Sequence, residues 1–284
     1  MQTITPLEVG FSEDKKYHVK NANGTEYLLR VSDLKDESII RNKFEKMQLA
    51  YAKGVPMCAP LKIEQVGNEL HQYHSWCEGD TLLKSIYSMT DEMQCAMGSQ
   101  VGKILQKLHS VPGQGVEAYS HFKEMLADTE ESIASCNINI EESSVVLRFC
   151  NDNLHILHDR PVSLCHRDCH QSNLLLHDNK LTLLDWELVL YADPWSEFTL
   201  FNQNEIHPHY ATGLLHSYFD GVPPPEFWPV FYMYQSLHAL AIIPWAATQT
   251  ADGYDPLAFS MQTLKNVMTF SGGLKSSAPT WYIL

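Results

Sequence analysis

Three oxygen-bearing side chains, Asp168, Asn173 and Asp185, follow one another at intervals of five and twelve residues. The short apolar segments around them, at 161–165, 173–176 and 181–184, have the composition of strands. A carboxylate that orients a hydroxyl, followed by an amide and a second carboxylate that bind magnesium, is the set of groups that phosphoryl transfer requires. The spacing therefore indicates a phosphotransfer centre in which Asp168 is the base and Asn173 and Asp185 are the metal ligands.

Turn residues explain how the two predicted metal ligands meet. The segment His177-Asp178-Asn179-Lys180 has turn composition and separates the last two strand-like segments. A hairpin across this turn places Asn173 and Asp185 at neighbouring strand ends. Magnesium rarely has an all-protein cage, so nucleotide phosphates are expected to complete its coordination.

Zinc is an alternative interpretation of the same stretch. It contains a dense group of zinc-type ligands: Cys165, His166, Cys169 and His170. Structural zinc sites usually combine one closely spaced pair with a second pair at a distance, and no second pair with that spacing is evident in the sequence. A zinc site would also leave Asp168 and Asn173 unexplained.

Composition limits the partners. The chain of 284 residues is 44% hydrophobic and has a formal net charge of −14. A basic footprint for nucleic acid is therefore not expected. The negative charge is compatible with a cationic substrate, although solubility explains it equally well.

Cysteine usage and hydropathy suggest a cytoplasmic protein. Seven scattered cysteines argue against a disulfide framework and for a reducing compartment. The start, Met1 to Val9, lacks the pattern of a signal peptide. The most hydrophobic segment, His238 to Ala247, is short and contains Pro244, so no membrane span is expected.

Hydrophobic periodicity predicts an α+β fold with two lobes. Strands are expected at 17–19, 27–31, 61–66 and 69–74, with a helix at about 38–53. We place the lobe boundary after residue 76, which gives a small β-rich N-terminal nucleotide-binding lobe, 1–76, and a mainly helical catalytic and substrate-binding lobe, 77–284. The tail at 281–284 is expected to be frayed.

Candidate nucleotide-binding residues lie in the predicted small lobe. Arg30 in a strand and Glu45 in the following helix have the order of an ion pair that presents a cation to the nucleotide phosphates. Arginine replaces the more usual lysine and is planar and larger. The segment Gly10–Lys16 contains a single glycine where a glycine-rich loop is expected, so Ser12 and its neighbouring amides, or Lys15 or Lys16, are the candidates for phosphate contact.

Several motifs together resemble one superfamily, that of the aminoglycoside phosphotransferases and choline kinases, and are nearest to bacterial members labelled aminoglycoside phosphotransferase. These motifs are Tyr27–Val31, Cys77-Glu78-Gly79-Asp80-Thr81-Leu82, Gly102–His109, His166–Asn173, Leu184-Asp185-Trp186-Glu187 and Asp193-Pro194-Trp195. The resemblance implies a protein-kinase-like fold, ATP or GTP as donor, Mg²⁺, a hydroxyl acceptor, and the roles given above for Asp168, Asn173 and Asp185. It also implies that a hinge from Tyr73 to Cys77 holds the base of the nucleotide. In most relatives a glycine stands where this chain has Arg167.

Two functional hypotheses follow. The first is an active small-molecule kinase, either an antibiotic-resistance enzyme or a choline-, ethanolamine- or thiamine-type metabolite kinase, acting as a monomer or homodimer. The second is a catalytically weak relative that binds a ligand. A protein kinase is not expected, because too few residues separate Asp185 from Asp193 for an activation loop. Acceptor specificity is expected from insertions at 119–158 and 202–225.

Overall fold

The structure is a computed structural model that describes residues 2–7, 14–202, 207–249, 255–269, 274 and 277–283. Backbone packing groups the chain into two units. Unit 1 comprises Met1–Tyr87 with Asp168–Leu190, and unit 2 comprises Ser88–Arg167 with Tyr191–Leu284. The predicted division into 1–76 and 77–284 stays a prediction about lobes; packing groups the segment 168–190 with the N-terminal strands.

The strands and helices are numbered along the chain. The strands are β1 (Thr3–Leu7), β2 (Lys15–Lys20), β3 (Glu26–Asp33), β4 (Pro60–Val66), β5 (Glu69–Ser75), β6 (Asp80–Thr81), β7 (Ser163–Cys165), β8 (Leu174–His177), β9 (Lys180–Leu183) and β10 (Leu190–Ala192). The helices are α1 (Glu37–Ala52), α2 (Leu82–Ile86), α3 (Asp91–His109), α4 (Ala118–Ser135), α5 (Ser143–Asn153), α6 (Pro208–Tyr218), α7 (Phe227–Ala246) and α8 (Pro256–Thr269).

Unit 1 contains an antiparallel sheet with the strand order β1-β2-β3-β5-β4. The turn between β2 and β3 is closed by Gly24, which has a φ of +84° and donates a backbone hydrogen bond to Asn21, as expected for a residue with no Cβ. Helix α1 buries Phe44, Met47 and Ala50 and ends before Gly54, whose φ is +77°. A smaller sheet, β6-β8-β9, completes the unit.

A disulfide joins Cys58, just before β4, to Cys77, just after β5. Their Cα atoms are 5.8 Å apart, which lies in the usual range for a disulfide. The expectation from the scattered cysteines missed this pair. A single cross-link is not a disulfide framework, and the other five cysteines are free.

Unit 2 is mainly helical. Fourteen residues of α7 are buried, and this helix packs against α4, α5 and α8. The C-terminal residues also pack: Trp281 is 8% exposed, and the Tyr282 hydroxyl lies 2.6 Å from His216 Nε2. The prediction of a frayed tail is therefore wrong for residues 281–283. In the part of the chain that the structure describes, no helix has the length and apolarity to cross a membrane.

Helices α3 and α6 approach closely because glycines line their contact. A Cβ added at Gly98 would overlap the carbonyl oxygen of Tyr210, and one at Gly213 would overlap that of Cys95. A Cβ at Gly102 would lie 2.5 Å from the Leu214 oxygen. These obstacles are backbone atoms, so a methyl group cannot be accommodated by a change of side-chain rotamer.

We expect Gly98→Ala to destabilise the protein by about 2–4 kcal/mol, because overpacking a rigid contact forces the two helices apart. Urea denaturation followed by circular dichroism measures the loss. Ala96→Ser, on the exposed side of the same helix, is the control and should change stability by less than about 0.5 kcal/mol. Equal midpoints for Gly98→Ala and the wild type would contradict the proposed tightness of this contact.

Candidate functional site

Asp168 and Asn173 lie on one loop and bind each other. Asn173 Nδ2 donates to Asp168 Oδ2 at 2.7 Å and to the Asp168 carbonyl oxygen at 2.9 Å. His170 Nε2 lies 3.4 Å from Asp168 Oδ1. The Asp168 side chain is still 29% exposed, so its orientation is restricted while a carboxylate oxygen stays accessible. The structure thus brings together the predicted base and the first predicted metal ligand.

The residues immediately before this loop are held by Glu197 in unit 2. Its two carboxylate oxygens accept the backbone N–H groups of His166 and Arg167 at 2.8 and 2.7 Å. Arg167 has a φ of +70°, a conformation that glycine adopts without cost. This backbone conformation explains why the glycine noted in similar sequences suits this position. The Arg167 side chain donates to the Ser196 carbonyl oxygen at 3.2 Å.

Glu197 is fully buried, and charged and polar neighbours compensate for its burial. Burial acts to raise the pKa of Glu197, but His109, His166 and Arg167 outweigh it and leave the pKa below its ordinary value. His109 Nε2 lies 3.6 Å from a Glu197 oxygen, and His109 Nδ1 is 2.8 Å from the Tyr218 hydroxyl. These contacts give His109, the last residue of α3, a structural role.

Asp185 follows β9 and is brought beside Asn173 by the hairpin. β8 and β9 pair in the register Leu174 to Leu183, and the Leu184 N–H donates to the Asn173 carbonyl oxygen at 2.8 Å. Asp185 has a φ of +58° and is exposed. The predicted hairpin therefore forms and carries both candidate metal ligands at adjacent ends.

The donor set at these strand ends suits magnesium. Because the Asn173 amide nitrogen donates to Asp168, its Oδ1 is the side-chain atom left to offer a cation. A carboxylate and an amide oxygen, with phosphate oxygens and water as further ligands, are typical of nucleotide-bound magnesium. Asn173 and Asp185 are the residues that would hold the ion.

Arg30 is the cation of β3, and its partners differ from the one predicted. Its Nη2 forms ion pairs with Asp14, at 2.7 Å, and with Glu187. The Arg30 side chain is 11% exposed. The predicted partner, Glu45, lies exposed on α1. From the same helix, Lys43 contacts Glu187 at 3.0 Å.

Glu187 is held in its charged form by these cations. Burial acts to raise the pKa of Glu187, but Arg30 and Lys43 outweigh it and lower the pKa below its ordinary value. Sequence reasoning gave Glu187, Lys43 and Asp14 no role in the site. The available signal was that Glu187 stands two residues after Asp185, on a segment already assigned to the site.

A cavity of about 510 Å³ lies within unit 1 beside these groups. It is lined by Leu7, Lys16, Leu28, Arg30, Met47, Cys58, His74, Ser75, Trp76, Cys77, Gly79, Thr81, Ser172, Asn173, Leu175, Leu183, Leu184, Asp185 and Trp186. Its volume falls in the range of small-molecule and cofactor sites. Arg30, Asn173 and Asp185 thus line the same cavity as residues 74–77 of the predicted hinge.

The three other predicted nucleotide-binding residues, Cys77, Tyr73 and Ser12, have different outcomes. Cys77 lines the cavity, whereas Tyr73 does not: its ring faces Lys62 of β4, with Nζ 5.6 Å from the ring centroid. Side chains alternate along a strand, so within β5 the neighbour His74 faces the interior. Ser12 lies outside the residues that the structure describes.

His74 is the buried polar group of this cavity. It is 2% exposed, and its Nε2 has no hydrogen-bond partner among the described residues. Burial, with a smaller contribution from Arg30, lowers the pKa of His74 to about 4. The imidazole is therefore neutral at pH 7. The sequence of β5 gave little signal for it, because the other inward-facing residues are Leu70 and Gln72, and the polar residues mask the alternation.

The residues that come close enough to share a metal differ from those of the zinc interpretation. In the described ranges, the group that could bring three ligand atoms together combines Cys165 with His109 and Glu197. Burial raises the pKa of the Cys165 thiol well above its ordinary value, and Glu197 already accepts two backbone N–H groups. These contacts are those of a packed hydrogen-bond network.

Comparison with known proteins gives consistent matches. The model of the phosphotransferase enzyme family matches residues 3–228. Protein LicA of Haemophilus influenzae is 26% identical over 207 residues, which are 70% of this chain and 73% of LicA.

Solved structures share the fold. A choline/ethanolamine kinase family protein from Mesorhizobium loti has a TM-score of 0.68 at 17% identity, over 93% of this chain and 88% of its own. Amicoumacin kinase hAmiN, solved with AMP-PNP, Ca²⁺ and Ami, has a TM-score of 0.66 at 14% identity, over 93% and 87%. A thermostable mutant of aminoglycoside phosphotransferase APH(4)-Ia has a TM-score of 0.65 at 17% identity, over 93% of each chain. The predicted superfamily resemblance and the two-lobed kinase-like fold class are confirmed.

The depressed pKa of His74 predicts a pH-dependent stability. Between pH 6.5 and about 4 the unfolded chain binds a proton at this residue that the folded chain does not, so stability should fall as the pH falls through this range. The expected contribution is about 3 kcal/mol. Urea denaturation from pH 7 to 4 measures it, and His74→Phe, which keeps a ring against Phe44, should show a shallower slope. Parallel pH profiles for the two proteins would contradict a buried neutral His74.

Proposed function

Because this chain belongs to the phosphotransferase enzyme family, we propose that it is a magnesium-dependent kinase that transfers the γ-phosphate of ATP or GTP to a hydroxyl group of a small molecule. The observation that carries this proposal is the grouping of Asp168, Asn173 and Asp185 in unit 1, where the last two line the cavity that also contains Arg30.

Asp168 is proposed to act as the base that receives the proton of the acceptor hydroxyl. Its hydrogen bonds with Asn173 restrict the carboxylate to one orientation, which places an oxygen for a hydroxyl without further reorganisation. His170, 3.4 Å from the other oxygen, offers a second contact to the same side chain.

Charge neutralisation is the second part of the proposed mechanism. Asn173 Oδ1 and the Asp185 carboxylate would hold Mg²⁺, which when bound offsets the negative charge of the transferred phosphoryl group. Arg30 presents a guanidinium at the same cavity, and its planar donors suit phosphate oxygens. The apolar walls, which include Leu28, Leu175 and Leu183, suit the flat face of a purine.

The acceptor class we propose is an alcohol that carries an amine or quaternary ammonium group. The net charge of −14 is compatible with a cation, and the fold neighbours include both a choline/ethanolamine kinase family protein and an aminoglycoside phosphotransferase. Small amino alcohols and aminoglycosides share this chemistry. Release of ADP or GDP in a panel of choline, ethanolamine, thiamine, aminoglycosides, macrolides and simple sugars distinguishes these sources.

Asp168→Asn should lower turnover by about 10³-fold, because the amide cannot accept the hydroxyl proton. It should leave nucleotide affinity within about threefold, since Asp168 is not proposed to contact the nucleotide. Coupled ADP release and calorimetry measure the two quantities. Asp178→Asn, in the exposed turn between β8 and β9, is the matched control and should behave as wild type. Undiminished turnover in Asp168→Asn would remove the base assignment.

Asp185→Ala should abolish the magnesium-dependent part of nucleotide binding, because it removes the charged metal ligand. Titration of ADP with and without Mg²⁺ measures this part directly. We expect the wild type to bind ADP at least tenfold more tightly with the metal, and the variant to bind equally weakly in both conditions. A retained metal effect would exclude Asp185 as a ligand.

A further inference from the structure

Two cations of unit 1 meet at one carboxylate. Glu187 accepts Arg30 Nη2 with Oε1 and Lys43 Nζ with Oε2, the second at 3.0 Å. Arg30 belongs to β3, Lys43 to α1, and Glu187 to the segment after β9. Two separate parts of the chain, β3 and α1, are therefore tied by charge-assisted hydrogen bonds to one side chain of a third part.

Helix α1 contributes a cation to this contact. Arg30 already receives negative charge from both Asp14 and Glu187. Lys43 binds the oxygen of Glu187 that Arg30 does not use, so it acts on Arg30 through the carboxylate. Among the described residues, Arg30 and Lys43 face Asp14 and Glu187, and the two cations keep Glu187 ionised against its burial.

Glu187 is also joined to the candidate metal ligand. Asp185 and Glu187 are separated by Trp186, which is 4% exposed and lines the cavity. A buried indole fixes the backbone on both of its sides, because a packed interior resists displacement. Asp185 and Glu187 therefore lie on one short segment anchored by Trp186, and a shift of that segment would move both side chains.

We propose that Lys43 is a positioning residue of the phosphotransfer site: through Glu187 it sets the Arg30 guanidinium at the nucleotide cavity and the segment that carries Asp185. The proposal rests on the proposed function, which makes this cavity the nucleotide site. The charges are arranged in the opposite way to the predicted ion pair, in which helix α1 supplies the anion for Arg30. The anion comes from the metal-ligand segment, and the helix supplies the second cation.

Mg·ADP binding measured by calorimetry tests the role without knowledge of the acceptor. Lys43→Met should weaken Mg·ADP binding about tenfold, and Lys43→Arg, which can still reach a carboxylate, should restore it to within threefold. Lys53→Met, at the exposed end of the same helix, is the matched control and should stay within twofold of the wild type. The loss in Lys43→Met should be smaller without Mg²⁺, because the displaced Asp185 then no longer matters.

A double-mutant cycle shows whether Lys43 acts through Glu187. Glu187→Gln should weaken Mg·ADP binding as well, and the double variant should be no weaker than the worse single variant. Losses that multiply would mean that Lys43 acts independently of Glu187, and this would overturn the proposal. Unchanged binding in Lys43→Met would overturn it too.

Two controls keep these results interpretable. Lys43 is 31% exposed, so its variants should fold; if Lys43→Met lowers the urea midpoint, the polar Lys43→Gln replaces it in every comparison. Asp168→Asn tests the proposed function separately, through turnover. A normal Lys43→Met beside an inactive Asp168→Asn would remove only the Lys43 inference. A wild type that does not bind Mg·ADP would remove both.

Discussion

A fully buried carboxylate, that of Glu197, fixes the backbone immediately before the loop that carries the proposed base Asp168. It accepts the backbone N–H groups of two successive residues, His166 and Arg167. Leaving buried donors unpaired is costly, and a charged acceptor makes these bonds stronger than neutral ones. The two backbone hydrogen bonds to Glu197 therefore fix the position and direction of the chain just before Asp168.

Glu187 has the corresponding function in unit 1, but it acts on side chains. It orders a guanidinium and an ammonium group, whereas Glu197 orders a stretch of main chain. In both places a desolvated carboxylate stays ionised because fixed donors surround it. Such groups are expensive to bury and expensive to disturb, and this cost makes the geometry around them specific.

Local features of the site could be predicted from the sequence, whereas long-range partners could not. The Asn173–Asp185 arrangement follows from a short turn between two short apolar strands, so the ends of the hairpin could be predicted to within a residue or two. The partner of Arg30 was not, because the helix residue that faces β3 depends on how α1 is rotated on the sheet. The Cys58–Cys77 bond gave no signal either, since a separation of 19 residues is compatible with many folds. Tyr73 was a similar case, because the inward-facing positions of β5 hold Leu70, Gln72 and His74, and two polar residues among these three hide the alternation.

The left-handed backbone at Arg167 and Asp185 carries an evolutionary consequence. A non-glycine residue in this region costs about 1–2 kcal/mol, less for aspartate. A protein keeps only about 5–15 kcal/mol of net stability, so these two positions use a sizeable part of that margin. Glycine relieves the strain at either site, but at Asp185 it also removes the carboxylate. If Asp185 holds the metal as proposed, selection for thermal robustness favours replacements of Asp185 that selection for catalysis rejects. The carboxylate is then kept only while packing elsewhere in the two units leaves a surplus of stability.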